Sequence, residues 1–300
     1  QKIMWVPKII HRRTLSLRSV QSRFNSSLRL RSFALSVAHP QKEEGEDAYF
    51  IANTKTSAGV ADGVGGWSEF GIDSGAFARE LMNGCKNAAE EKNMKTASDI
   101  LGYGFDSVTS PGSSTACVIS ITENNILQVA NLGDSGFFLL RKEESRFDSG
   151  DRRSPPPIEW AVAAATTEQL HSFNCPVQLG TSSNDTVECA DISAIELEVG
   201  DVTVCCTDGV LDNVWEDELA ALCAESFKES DACEGDMEMM AESAETFCQN
   251  ILNLAVTHSE DTERRSPFEA NAKRWGFRYR GGKMDDITVV VSLVERADEG

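Results

Sequence analysis

Five times along this chain an aspartate stands at the boundary of a short run of β-forming residues. Asp47, with Glu46 before it, precedes the run 49–53. Asp62 closes 58–61, and Asp134 lies in the turn between 126–131 and 137–141. Asp208 closes 202–207, and Asp285, with Asp286 beside it, opens 287–294. Strand-end carboxylates project beyond a sheet edge, so a fold that gathers these ends also gathers the charges. Such a cluster is tolerable only if cations balance it.

The intervening pattern specifies the layers. Runs 115–121, 126–131 and 137–141 are separated by short turn-forming stretches, which predicts local antiparallel hairpins rather than βαβ units. Residues 74–92 carry Phe77, Leu81, Cys85 and Ala88 at helical spacing, with Ser74 as the expected N-cap. Further helices are expected over 96–108, 215–225 and 237–256. In the last of these, Met240, Ala244, Phe247, Ile251 and Leu254 share a face. A charged, then proline-rich stretch over 142–157 reads as a surface loop. Together these define an α+β fold, a β-sandwich of two antiparallel sheets flanked by α-helices.

Charge is distributed unevenly. Residues 1–42 hold nine Lys or Arg and no Asp or Glu, whereas the whole chain carries −20. The acidic body argues against nucleic acid as the main partner, because phosphate backbones need cations opposite them. The basic start is also rich in Ser and Leu, with Leu17, Val20, Phe24 and Leu28 at helical spacing. This composition reads as an organelle transit peptide over 1–36, ahead of a domain over 37–296 and a tail over 297–300. Mitochondrial (matrix) targeting is favoured, with a plastid signal or a disordered basic tail as alternatives. No stretch approaches the roughly 18 consecutive apolar residues of a spanning helix, so no membrane span is expected. The nine cysteines contain no C-x-x-C pair and are expected as buried free thiols.

Strand-end carboxylates suit hard divalent cations, which take oxygen ligands and keep several waters. Two such ions about 3.5–4 Å apart need a bridging carboxylate and can turn a shared water into a hydroxide nucleophile. Asp-Gly pairs are also ordinary turns. The residues by themselves therefore lead as far as a divalent-cation hydrolase.

Read in order, the motifs Gly45-Glu46-Asp47-Ala48, Val60-Ala61-Asp62-Gly63-Val64-Gly65-Gly66-Trp67 and Gly112-Ser113-Ser114-Thr115-Ala116 resemble those of the type-2C metal-dependent serine/threonine protein phosphatases. The resemblance continues through Ala130-Asn131-Leu132-Gly133-Asp134-Ser135-Gly136, Thr207-Asp208-Gly209 and Asp285-Asp286-Ile287-Thr288-Val289, spanning about 43–295. The Asp-Gly-Val-Gly-Gly-Trp variant, with Ser266-Pro267-Phe268 and Gly281-Gly282-Lys283, is similar to the mitochondrial or plastid branch. The resemblance implies hydrolysis of phosphoserine and phosphothreonine on protein substrates, with two Mg²⁺ or Mn²⁺ ions. It implies Asp62 as the bridge, the Gly63 carbonyl on one ion and Asp208 and Asp285 on the other. Glu46 and Asp47 would act through waters, and Asp134 with Asp208 at a weaker third ion. A monomer is expected.

Two positions depart from the family pattern. Val64 stands where many members have a proton-donating histidine, which leaves a metal-bound water or another group as the donor, His171 being a conceivable one. Lys42 stands where an arginine often grips the substrate phosphate, and lysine lacks the bidentate fork. These departures leave open a phosphoprotein-binding module that turns its ligand over poorly. A phosphatase of a small metabolite is a further alternative.

Overall fold

The computed structural model describes residues 27–144, 158–181, 183–231 and 236–297. Ten strands build two five-stranded antiparallel sheets. One has the order β1 (Leu28–Val37), β10 (Ile287–Arg296), β9 (Val202–Cys206), β6 (Gly136–Glu144) and β7 (Ile158–Ala165). The other runs β8 (Asp191–Glu196), β5 (Ile126–Leu132), β4 (Ala116–Ile121), β3 (Ser57–Asp62) and β2 (Asp47–Ile51).

The central strands explain why some runs are apolar throughout. In β10, Val290 and Val294 face the space between the sheets, where Val60, Ile119, Leu127, Val129 and Phe137 meet them. Val289, Val291 and Leu293 face the other way, onto helices. Both faces are buried, so hydrophobic–polar alternation disappears and only length and β-branching mark the strand.

The helices cover the outer faces. Helices α1 (Ser74–Glu90) and α2 (Ala97–Asp106) pack on the β2–β5 sheet through Phe77, Leu81, Ile100 and Leu101. Short α3 (Asp208–Leu211), α4 (Glu216–Ser226), α5 (Lys228–Asp231) and long α6 (Met237–Glu260) cover the second sheet, followed by α7 (Pro267–Arg274). In α6 the Asp236 carboxylate caps the amides of Glu238 and Met239. Ala244, Phe247, Cys248, Ile251 and Ala255 then form its buried face. Burying Phe247 contributes about 2–3 kcal/mol. Met240 and Leu254, expected on that face, are half-buried at its margin.

Several expectations shift. The α1 cap is Asp73, whose side chain accepts from the Gly75 amide, rather than Ser74. Residues 142–144 continue β6, while 145–157 lie outside the described residues. The domain starts no later than Leu28, not at 37. Arg29 and Arg31 of β1 pair through Nε with the buried Glu295 of β10, at 3.0 and 2.8 Å. Part of the basic stretch is therefore an edge strand matched to an acidic partner 266 residues away. The remainder of the expected leader, 1–26, lies outside the described residues, as do 298–300 of the tail. Described cysteines are free: Cys175 and Cys189 are exposed, and the other six are buried. No helix among the described residues is long and apolar enough to cross a membrane.

Candidate metal centre

The β2–β3 register sets Asp47 directly opposite Asp62. Beside this pair, β9 runs through Thr207 into Asp208 at the start of α3, and Asp285-Asp286 leads into β10. Asp134 sits in the β5–β6 turn. One cleft is lined by Lys42, Glu46, Asp62, Gly63, Asp134, Asp208, Lys283 and Asp285, with Val64, Gly65 and Thr115 on its wall. Asp47 joins the cluster from below: its Oδ2 accepts the Thr207 hydroxyl at 2.8 Å. The predicted carboxylates thus converge from separate strand ends.

Gly63 is required sterically. A Cβ there would stand 2.2 Å from the Ser74 carbonyl oxygen and 2.7 Å from that of Glu46. Only glycine lets these segments close, and its N–H donates to the Glu46 carbonyl at 3.1 Å.

The electrostatics are severe. Burial pushes the Asp62 carboxyl well above the usual carboxylate range, and Asp208, Asp47, Asp285 and Asp134 push it further. Asp134 is raised by burial and by Asp208 and Asp212. Burial also raises Asp47, against the opposing hydrogen bond from Thr207. Asp285 rises through burial and the neighbouring Asp208. Asp47 Oδ1, Asp134 Oδ1 and Asp208 Oδ1 are buried and lack hydrogen-bond partners. Orphaned, all-oxygen, mutually repelling donors fit hard divalent cations. Among the described residues no three Asp, Glu, His or Cys side chains close on a single point. They ring a shared space instead, in keeping with ions that retain most of their waters.

Asp286 and Lys42 brace one side. Asp286 accepts the His39 and Glu46 amides at 2.6 and 2.8 Å and the Lys42 ammonium at 2.8 Å. Lys42 also donates to Glu46 Oε2 at 2.5 Å. Burial opposes the charge on Lys42, but bonds to Asp286 and Glu46 outweigh it and raise the pKa. Lys42 faces the cleft while held by two carboxylates.

His171 is placed elsewhere. It lines a neighbouring hollow with Trp67, Ser113 and Gln178, is over half exposed, and its Nε2 lies 2.8 Å from Asp185 Oδ2. The structure does not bring it to the carboxylates, because β-ribbon residues 170–176 lead it out beyond Pro176 at the cleft wall.

Two participants lie beyond the sequence reading. Lys283 sits inside the cluster, and Asp212 stands one helical turn after Asp208. The spacing of Asp208 and Asp212, together with Lys283 two residues before Asp285, offered a signal for both. A larger cavity of about 720 Å³ adjoins the cleft through Asp134, Asp208 and Asn174 and is walled by Trp160, Phe173, Trp215 and Phe268.

No protein-family profile matches the chain. It is 35% identical over 285 residues to the protein phosphatase PTC7 homolog fig of Drosophila willistoni, a match covering 89% of this chain and 82% of that protein. It is 37% identical over 274 residues to the probable protein phosphatase 2C 80 of Arabidopsis thaliana, covering 89% of this chain. The chain spans about 59% of that protein's length and about 53% of a second Arabidopsis relative, probable protein phosphatase 2C 55. Among solved structures it superposes on the photosystem II phosphatase PBCP with a TM-score of 0.71 at 27% identity, covering 89% of this chain and 99% of that one. The catalytic domain of the serine/threonine phosphatase PstP, solved with two manganese ions, shares the fold at a TM-score of 0.54 and 16% identity.

Two antiparallel sheets with carboxylates gathered at one end define a metal-dependent phosphatase fold. The chain belongs to the protein phosphatase 2C family.

Proposed function

We propose that this protein is a metal-dependent serine/threonine protein phosphatase. The observation that carries this reading is the convergence of Asp47, Asp62, Asp134, Asp208 and Asp285, with buried oxygens lacking any protein partner. In this reading Asp62, the Gly63 carbonyl, Asp208 and Asp285 would hold two Mg²⁺ or Mn²⁺ ions, and Glu46 and Asp47 would act through water. When bound, the ions lower the pKa of water and neutralise charge on the phosphoryl group.

The protein's own groups do the rest. Lys42 presents a positive charge at the cleft, supported from behind by Asp286. Val64 contributes an apolar wall and cannot move a proton, and among the described residues no histidine lines the cleft. The similarity to relatives named as protein phosphatases favours phosphoproteins over a small metabolite, and the adjoining aromatic cavity offers room beside the centre for flanking polypeptide. Assaying phosphoproteins beside sugar and nucleotide phosphates tests this. Turnover confined to the small molecules would overturn it.

The arginine- and serine-rich, acid-free start supports targeting to the mitochondrial matrix, with a plastid as the alternative. Import of a fluorescent fusion carrying residues 1–30 distinguishes these from a cytosolic protein.

A further inference from the structure

We infer that Lys283 is a built-in cation at the Asp208–Asp212 side of the cluster, taking the place of a third divalent ion and limiting the centre to two. The inference rests on the metal-centre reading above and concerns how many ions that centre accepts.

An ammonium group has three N–H donors and no acceptor. The Lys283 Nζ lies 2.5 Å from Asp208 Oδ2, 2.8 Å from Asp212 Oδ2 and 3.1 Å from Asp285 Oδ2, one carboxylate for each donor. Asp134, the other candidate for a weaker ion, also feels its charge. The ammonium therefore takes one oxygen from each of these three carboxylates and stands beside the remaining oxygens, Asp208 Oδ1 and Asp134 Oδ1, that a further cation would use. A divalent ion there would have to displace the ammonium or lie against a like charge.

The position is built rather than incidental. Asn213 is fully buried and holds the Lys283 backbone from both sides, accepting its N–H at 2.9 Å and donating to its carbonyl at 2.8 Å. The same Asn213 amide donates to the Gly209 carbonyl at 2.9 Å, which ties the Lys283 segment to the turn that carries Asp208. Upstream, Gly281 has φ +92°, and a Cβ there would stand 2.6 Å from the Thr262 backbone, so the approach to Lys283 is fixed by glycine. The ammonium also lies 5.0 Å from the Phe268 ring centroid. Asp212, to which the resemblance assigns no ligand role, finds its purpose as a dedicated partner of Lys283.

The decisive experiment counts ions. The full chain is dialysed to equilibrium against Mn²⁺ over a range of concentrations, and bound metal is counted by elemental analysis. The wild type is expected to saturate at two ions per chain. Lys283→Gln, which keeps the stem and removes the charge, is expected to saturate at three, and Lys283→Arg at two. A third ion in the wild type overturns the inference, as does a folded Lys283→Gln that stops at two. If Lys283→Gln fails to fold, the wild-type count decides alone. A wild type that binds no ion overturns the metal-centre reading itself, whereas three ions overturn only the role of Lys283.

Discussion

The carboxylate of Asp286 and the ammonium of Lys42 meet at 2.8 Å across 244 residues of sequence. Asp286 does not itself line the cleft. It orients Lys42 and, through the Glu46 amide, the segment that carries Glu46 and Asp47. Asp286→Ala should therefore lower Mn²⁺ affinity about 10- to 100-fold, as loss of an outer support does. Leaving Lys42 and two amides short of a partner should also cost about 3 kcal/mol of stability. Metal titration and urea unfolding of the same preparation check both.

Carboxylates that repel one another in a buried cluster should be relieved by ions. Mn²⁺ at about 100 times its dissociation constant should stabilise the fold by about 2.7 kcal/mol, roughly 5–10 °C in Tm. EDTA should reverse the shift, and Asp62→Asn should show less of it. Thermal unfolding followed by circular dichroism measures each case.

Replacing Val64 by histidine places a proton donor on the cleft wall. Val64→His should speed phosphate release from a phosphothreonine peptide about tenfold, less than the 10²–10⁴ of an optimally placed acid. Release from p-nitrophenyl phosphate, whose leaving group needs no proton, should not change. Equal effects on both substrates would contradict a role in protonation.

Glu218 at the start of α4 accepts the Trp215 amide at 3.0 Å and pairs with Arg264. Burial opposes its charge, yet these contacts hold its pKa below the ordinary 4.5. A depressed carboxylate stabilises the fold above its unfolded pKa and loses that contribution as pH falls through the folded one. The wild type should exceed Glu218→Gln by about 1 kcal/mol at pH 7 after solvent screening, about 2–4 °C in Tm. The gap should shrink below pH 4.5 and vanish in stronger acid.

Much of this was legible in the chain because strand ends and metal chemistry coincide. The runs that became β3, β9 and β10 were recognisable from β-branched apolar residues, and each bordering aspartate marks one end of its strand. What escaped depended on distant partners. β1 was hidden because its arginines gave it the composition of a leader, and only Glu295 explains them. β7 and β8 alternate weakly, with exposed Ile158 and Ile192. Lys283 read as part of a glycine motif, since its three carboxylate partners come from two separate turns. His171 was attractive by residue type alone, and its pairing with Asp185 places it outside the cleft.

The central claim is a metal-dependent hydrolytic centre built on Asp62. Phosphate release from a phosphothreonine peptide should be measured with Mn²⁺, with Mg²⁺ and with excess EDTA, beside Asp62→Asn. The account predicts release with either ion, none in EDTA, and a loss of more than about 100-fold in the variant, exceeding that of an outer support. Undiminished release in EDTA, or a folded Asp62→Asn as active as the wild type, would contradict it.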